Sequence, residues 1–382
     1  MKRSTDRILT THVGSLPRPK DVTDLVFAKE AGVPIDTRGF DEVVAQATKT
    51  VVQRQKDVGI SLPSDGEMSK ISYATYIKDR LTGFDGDAPR NPPQDLEQFP
   101  SFLEKLAKAG GTPTFRRPVC MGEITVKDMQ PLQDDIRNMR SAMQNAGYED
   151  DAGFMNSATP GVIALFQPNE FYKTQDDYLE AVAEGMRVEY EGIVESGLVL
   201  QLDSPDLGLG RHVMYKDIDD DGFVKAAGRH IEVLNHALRN IPTDRVRMHI
   251  CWGNYEGPHV CDIAMSKVLP EVLKAKPRAL LFEGANARHA HEWTVWQDIE
   301  LDDDYILIPG VIDSTTNFVE HPELVAQRIE QYANLVGKER VIAGTDCGFA
   351  TFAGFGAVDG EIAWHKLQSL AQGAEIASKR LW

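Results

Sequence analysis

The chain shows short apolar runs that each end in polar residues, separated by longer stretches with helical periodicity. The runs cover Arg7–Val13, Gly59–Ser64, Arg117–Glu123, Leu198–Asp203, Val246–Cys251, Ala279–Glu283, Tyr305–Val311 and Arg340–Thr345. Amphipathic helices fit Phe40–Asp57, Asp221–Asn240, Val260–Ala275, Pro322–Leu335 and Glu361–Ser378. Another fits Thr174–Glu195, with Tyr178, Leu179, Val182, Met186, Val188 and Ile193 as its apolar positions. Strand–helix alternation implies a parallel sheet with right-handed crossovers. Repeated eight times, it predicts an α/β fold of the closed (βα)8 TIM-barrel class, one domain over residues 1–382. An open doubly wound sheet would need a glycine-rich phosphate turn after the first strand. Thr11-His12-Val13-Gly14-Ser15-Leu16-Pro17 is not one. The runs are unevenly spaced, which predicts long insertions after the second and third strands, near 83–116 and 125–175.

Composition narrows the function. With 58 acidic against 41 basic residues the net charge is −17, which argues against nucleic-acid and anionic-membrane partners. No apolar run is long enough for a membrane span. The charged start, Met1-Lys2-Arg3-Ser4-Thr5-Asp6-Arg7, has no signal-like core behind it, so a cytoplasmic location is expected. The four cysteines are too few and too scattered for a disulfide framework, and they form no CxxC pair. A metal site would have to be assembled by the fold from distant segments. Oligomeric state is open, homo-oligomers included.

In a barrel the reactive groups gather at the C-terminal ends of the strands. Here those ends carry His12 and Ser15, Asp65 and Glu67, Glu123, Asp203, His249 and Cys251, Glu283, Asp313, and Asp346 with Cys347. His249 and Cys251 lie two residues apart, so on a strand they share a face. An imidazole, two thiolates (Cys251, Cys347) and the Glu283 carboxylate make a four-ligand set suited to zinc. Zinc held by thiolates suits chemistry on a sulfur nucleophile, which points to a thiol alkyltransferase. Each residue also has a plainer reading. Asp65 and Asp346 could cap the next helix. Cys120 and Cys261 fit no ligand pattern and are read as structural. His289 and His291, flanking Arg288 at a polar helix start, are read as solvated loop, and His321 as the entry to a helix. The rival from another class is a metal-free barrel enzyme like uroporphyrinogen decarboxylase, working through arginines and an aspartate.

The pattern His-x-Cys, a later Glu, and Cys in Asp346-Cys347-Gly348 resembles the zinc-bearing C-terminal barrel of the cobalamin-independent methionine synthases. The likeness runs from His12-Val13-Gly14-Ser15-Leu16-Pro17-Arg18 to Gly348. The resemblance implies zinc on His249, Cys251, Glu283 and Cys347, and homocysteine held at Gly14, Ser15, Glu67 and Asp203. It implies methyl transfer to that thiol from methyltetrahydrofolate or a related donor, a methylcorrinoid protein included, in a single barrel like the short family members. The family segment Gly-Val-x-Asp-x-His reads Gly310-Val311-Ile312-Asp313-Ser314-Thr315. Asp313 is thus a candidate catalytic carboxylate, and threonine stands where the family has its histidine. The outline is similar as well to the epoxyalkane–coenzyme M transferases. Their sulfonate-bearing thiol would call for a cation, for which Arg18, Lys70, Arg211 and Arg288 are candidates.

Overall fold

The computed structural model describes residues 1–90, 92–108 and 114–382. The strands are β1 (Leu9–Thr10), β2 (Phe84–Asp85), β3 (Val119–Cys120), β4 (Phe154–Ala158), β5 (Val199–Asp203), β6 (Val246–His249), β7 (Ala279–Phe282), β8 (Ile306–Ile312) and β9 (Ile342–Thr345). Seven of them form one parallel sheet in the order β1-β9-β8-β7-β6-β5-β4. Every residue of β4 through β9 in this sheet is buried, as expected where helices cover a parallel sheet.

The helices between strands begin where side chains supply the missing acceptors for their first N–H groups. Thr159 opens α6 (Pro160–Phe166, numbered in chain order), Thr174 opens α7 (Gln175–Glu195) and Asp219 opens α9 (Asp220–Ala237). His321 and Asp359 do the same for α11 (Pro322–Val336) and α12 (Gly360–Leu381). The earlier helices are α1 (Lys20–Glu30), α2 (Thr37–Asp57), α3 (Gln94–Glu97), α4 (Pro100–Lys108) and α5 (Gln130–Asn145). The short α8 (Gly210–Val213) follows β5, and α10 (Met265–Val272) follows β6.

Several expectations change. The run Arg117–Glu123 is not a strand of the main sheet. Its Val119–Cys120 pairs antiparallel with Phe84–Asp85 in a separate ribbon, and Glu123 is exposed. The place beside β5 is taken by β4, whose Asn156 and Ser157 are buried and bonded to Asp203 and Glu189. Those polar residues break the apolar signature by which a buried strand is found. The stretch 125–175, expected as an insertion, carries α5, β4 and α6. The run Gly59–Ser64 forms no regular strand, yet Ser61 N and Leu62 N donate to Thr10 O at 3.1 and 3.0 Å, and Phe154 N donates to Pro63 O at 3.0 Å. Pro63 has no N–H to extend a ladder. Within α7, Val188 is an exposed residue and not part of the core. The helix expected over Val260–Ala275 begins only at Met265. The interval near 83–116 lies partly outside the described residues.

Candidate active site

Strand register sets the centre of the site. Asp203 pairs with His249 across β5 and β6, so both side chains leave the sheet at one level. Cys251 lies just beyond β6, Glu283 just beyond β7, and Asp346 and Cys347 just beyond β9. The ligand atoms of His249, Cys251 and Cys347 all lie within 4.8 Å of one another, and all three residues are buried. The two sulfurs are 3.0 Å apart. Glu283 stands beside them, with Oε1 3.8 Å from Cys347 Sγ. Its oxygens are already engaged: Oε1 accepts from Trp252 N at 2.7 Å and Oε2 from Asn286 Nδ2 at 2.7 Å.

The electrostatics of this centre favour a cation. The Cys347 thiol on Cys251 favours its thiolate, but burial and the Glu283 charge outweigh that and push Cys251 up to about 11. Burial, then Cys251 itself, holds Cys347 well above the ordinary thiol range. Without a positive charge both thiols keep their protons. Two thiols and an imidazole buried side by side form a donor set for a borderline-soft divalent ion such as zinc.

A cavity opens over these groups, lined among others by Ser15, Glu67, Tyr73, Asp203, His249, Cys251, Asn254, Cys347 and Thr351. Glu67 sits in a left-handed conformation, φ 58°, fixed by Asp65 Oδ1 accepting its N–H at 2.9 Å. Its Oε2 is buried with no hydrogen-bond partner. Asp203 accepts from Asn156 Nδ2 at 2.9 Å, and its other oxygen is 3.4 Å from His249 Nδ1. Gly14 does not line the cavity but makes room for this arrangement. Its φ is 145°, and a Cβ there would stand 2.3 Å from Asn156 Oδ1. Gly14 N donates to His12 Nδ1 at 3.1 Å, and burial pulls His12 down to about 4, keeping that imidazole a neutral acceptor.

The other predicted residues occupy supporting places. Asp313 is outside the cavity lining. Its Oδ1 accepts from Thr315 N and Oγ1, and its Oδ2 from Thr316 Oγ1. That turn carries Ser314, whose Oγ accepts from Cys347 N at 3.1 Å and donates to Asn254 Oδ1 at 3.0 Å. Asp346 caps no helix. It accepts from the backbone N–H groups of Gly284, Ala285 and Asn286, tying the β7 and β9 ends together. Trp252 is fully buried and donates to Ile263 O, so its ring is closed to a ligand in the cavity. The candidate sulfonate cations are used elsewhere: Arg18 on the carbonyls of Glu67 and Ala350, Lys70 on Asn156 O, and Arg211 on Asp220, while Arg288 is exposed. Asn156, Tyr73, Asn254 and Thr351 escaped sequence reasoning. None carries a charge or a ligand-like spacing, and only tertiary placement brings them to the site.

No family model matches the chain. Curated relatives do. The methionine synthase of Saccharolobus solfataricus is 24% identical over 377 residues, covering 97% of this chain and 95% of that protein. That of Sulfolobus acidocaldarius is 24% identical over 375 residues, covering 97% and 93%. Among solved structures, a B12-independent methionine synthase from Shewanella sp. W3-18-1, in complex with selenomethionine, matches with a TM-score of 0.73 at 17% identity. It covers 98% of this chain and 99% of that one. A putative vitamin-B12-independent methionine synthase from Listeria monocytogenes matches with a TM-score of 0.65 at 19% identity, covering 97% and 98%. The chain therefore resembles the cobalamin-independent methionine synthases over nearly its whole length, as the ligand pattern implied.

Proposed function

We propose that this chain is a methyltransferase that methylates the sulfur of an amino-acid thiol, homocysteine, using zinc held by His249, Cys251 and Cys347 with Glu283 as an exchangeable fourth ligand. The observation that carries the reading is one cavity that two sets of groups share. It is lined by the imidazole and the two thiols and by Glu67, with an unpartnered buried oxygen, and Asp203. An α-ammonium would satisfy that oxygen. Zinc there would lower the pKa of an incoming thiol and keep its sulfur nucleophilic at neutral pH. The protein's own residues do the positioning: Glu67 and Asp203 orient the amino group, Asn156 fixes Asp203, and Ser15 faces the carboxylate end. Glu283, held back by Trp252 N and Asn286, leaves a ligand position for the substrate. Holding sulfur and methyl carbon in line supplies much of the rate.

The relatives' names support homocysteine as acceptor. The lining itself disfavours coenzyme M, since among the described residues it includes no lysine or arginine to meet a sulfonate. The same lining disfavours the decarboxylase-like alternative, which needs arginines. We take the whole chain, 1–382, as a single (βα)8 barrel in which the segment around Ser61 and Leu62 closes the sheet between β1 and β4.

The test is zinc content and methyl transfer for the wild type beside Cys251→Ser and Cys347→Ser. Loss of both zinc and turnover in folded variants is expected, and full zinc with full turnover in either would refute the assignment. Parallel assays with methyltetrahydrofolate and with a methylated corrinoid as donor identify the methyl source.

A further inference from the structure

Beside Trp252 a second cluster of ligating groups is assembled from three successive strand–helix loops. His212 lies in α8 after β5, His259 and Asp262 in the loop after β6, and His289 in the loop after β7. His259 Nδ1 and His289 Nε2 are each 2.9 Å from Asp262 Oδ2. His212 Nε2 is 3.3 Å from Asp262 Oδ1. All are enclosed: the side chains of His212, Asp262 and His289 are 0, 2 and 3% exposed. His289, read from sequence as solvated loop, is thus a buried residue, whereas its neighbour His291 is exposed as expected.

The ring nitrogens turned away from Asp262 also face acceptors. His289 Nδ1 is 2.8 Å from Glu292 Oε2, His259 Nε2 is 3.1 Å from Tyr255 O, and His212 Nδ1 is 3.5 Å from Asp95 Oδ1. A neutral imidazole has one N–H. At His259 the carbonyl of Tyr255 can only accept, so that proton belongs on Nε2 and Nδ1 turns a lone pair toward a carboxylate. His289, with a carboxylate on each side, poses the same problem, whereas His212 Nε2 also has the carbonyl of Trp252 at 3.4 Å to take its proton. Something positive must stand between the rings of His259 and His289 and Asp262, either two separate protons or one metal ion. Asp262 Oδ1 is buried and accepts no hydrogen bond, which is costly unless a further group completes it. The arrangement follows the pattern of metal centres, where each histidine directs one nitrogen at the ion and donates the other N–H to a carboxylate or carbonyl. The ligand atoms of His259, Asp262 and His289 all lie within 4.8 Å of one another, near enough for one ion with bonds of about 2.0–2.2 Å to draw them together. His259 also adopts a left-handed backbone, φ 51°, and Glu67 in the first cavity is the other non-glycine residue with positive φ among the described residues. Such strain persists where the surroundings fix it.

We infer that His259, Asp262 and His289 form a second binding site for a zinc-class divalent ion, distinct from the thiol-containing centre, with His212 standing beside it at the other oxygen of Asp262. Its consequence is structural. The ion joins the loops after β6 and β7, and through His289, whose ring lies 4.6 Å from that of Trp252, it steadies the segment that begins at Cys251.

The full chain is loaded with Zn²⁺, desalted and analysed for metal, then stripped and titrated with Co²⁺. The expected result is about two zinc ions per chain, falling to about one in His289→Ala, in Asp262→Asn and in Cys347→Ser alike. With Co²⁺, one equivalent should carry thiolate charge-transfer absorption, and a further equivalent should add visible d–d absorption without it. Cys347→Ser should lose the first signal and keep the second. Should His289→Ala fail to fold, the cobalt titrations of wild type and Cys347→Ser decide alone. A wild type that saturates at one equivalent, or a second equivalent that survives His289→Ala, overturns the inference. Loss of only the thiolate signal would count against the methyltransferase site instead, so the two failures are distinguishable.

Discussion

At the scale of single residues, Glu67 in the cavity wall makes a pH prediction. Burial, opposed in part by the Lys70 ammonium and reinforced by Asp203, pushes Glu67 up to about 8. The folded protein then binds a proton that the unfolded chain, at about 4.3, has lost. Between these values the native state holds more protons, so stability falls as pH rises from roughly 4 to 8, with a slope approaching about 1.4 kcal/mol per unit. Glu67→Gln should flatten that slope in denaturant titrations. An unchanged slope would remove Glu67 as its source. An ammonium bound beside Glu67 favours the ionised form, so homocysteine affinity should rise with pH over the same window and lose that dependence in the variant. Gly14→Ala makes a second prediction. Its Cβ would displace Asn156 and with it the partner of Asp203. Losing one such contact corresponds to about a tenfold rise in KM for the thiol, on top of about 1–3 kcal/mol lost from stability. An unaltered KM would show that Asp203 does not depend on Asn156. The cluster of His249, Cys251 and Cys347 was legible because His249 closes a strand with Cys251 two residues on, and Cys347 follows another. Asn156 was not, since a carboxamide inside a strand reads as loop until its partner on the neighbouring strand is known. His289 was misjudged for the same reason: its partners Asp262 and Glu292 are recruited by folding.

At the scale of elements, the sequence located β5 to β9 well, because strands buried on both faces are nearly continuous apolar runs ending abruptly in polar residues. It placed the third sheet strand wrongly because Val119–Cys120 has that look in a peripheral ribbon, whereas β4 carries Asn156 and Ser157 inward. Helix packing offers a test in which two magnitudes compete. Gly373 lies inside α12, where alanine would gain about 1 kcal/mol in helix propensity. Yet a Cβ there would stand 2.4 Å from Val325 Cβ and 2.9 Å from Pro322 O of α11. Backbone at that distance cannot rotate away, and overpacking costs about 1–3 kcal/mol. Gly373→Ala should therefore lower the urea midpoint, while Gly→Ala at an open, exposed helical site would raise it. A raised midpoint at 373 would mean that α11 and α12 are not packed as closely as described.

At the scale of the whole molecule, Asp203, His249, Cys251, Glu283 and Cys347 sit at or just past the ends of buried strands, and a continuous apolar core joins those strands to the helices around them. The scaffold therefore does not need metal to exist, unlike a small zinc domain whose folding free energy is its metal-binding free energy. Stripping metal with a chelator is expected to leave the far-UV circular dichroism unchanged. It should lower Tm, because an ion that binds only the native state stabilises it by mass action, and restored zinc should return Tm in a concentration-dependent way. The loops after β6 and β7, which carry Cys251, Glu283 and His289, should show the gain in hydrogen exchange, while β5 and β8 should stay protected. Global unfolding on chelation would instead make the metal a partner in folding. In that case Cys347→Ser would fail by misfolding, and its lost activity would say nothing about catalysis. The circular dichroism of the stripped wild type is thus the control on which the reading of every ligand variant depends.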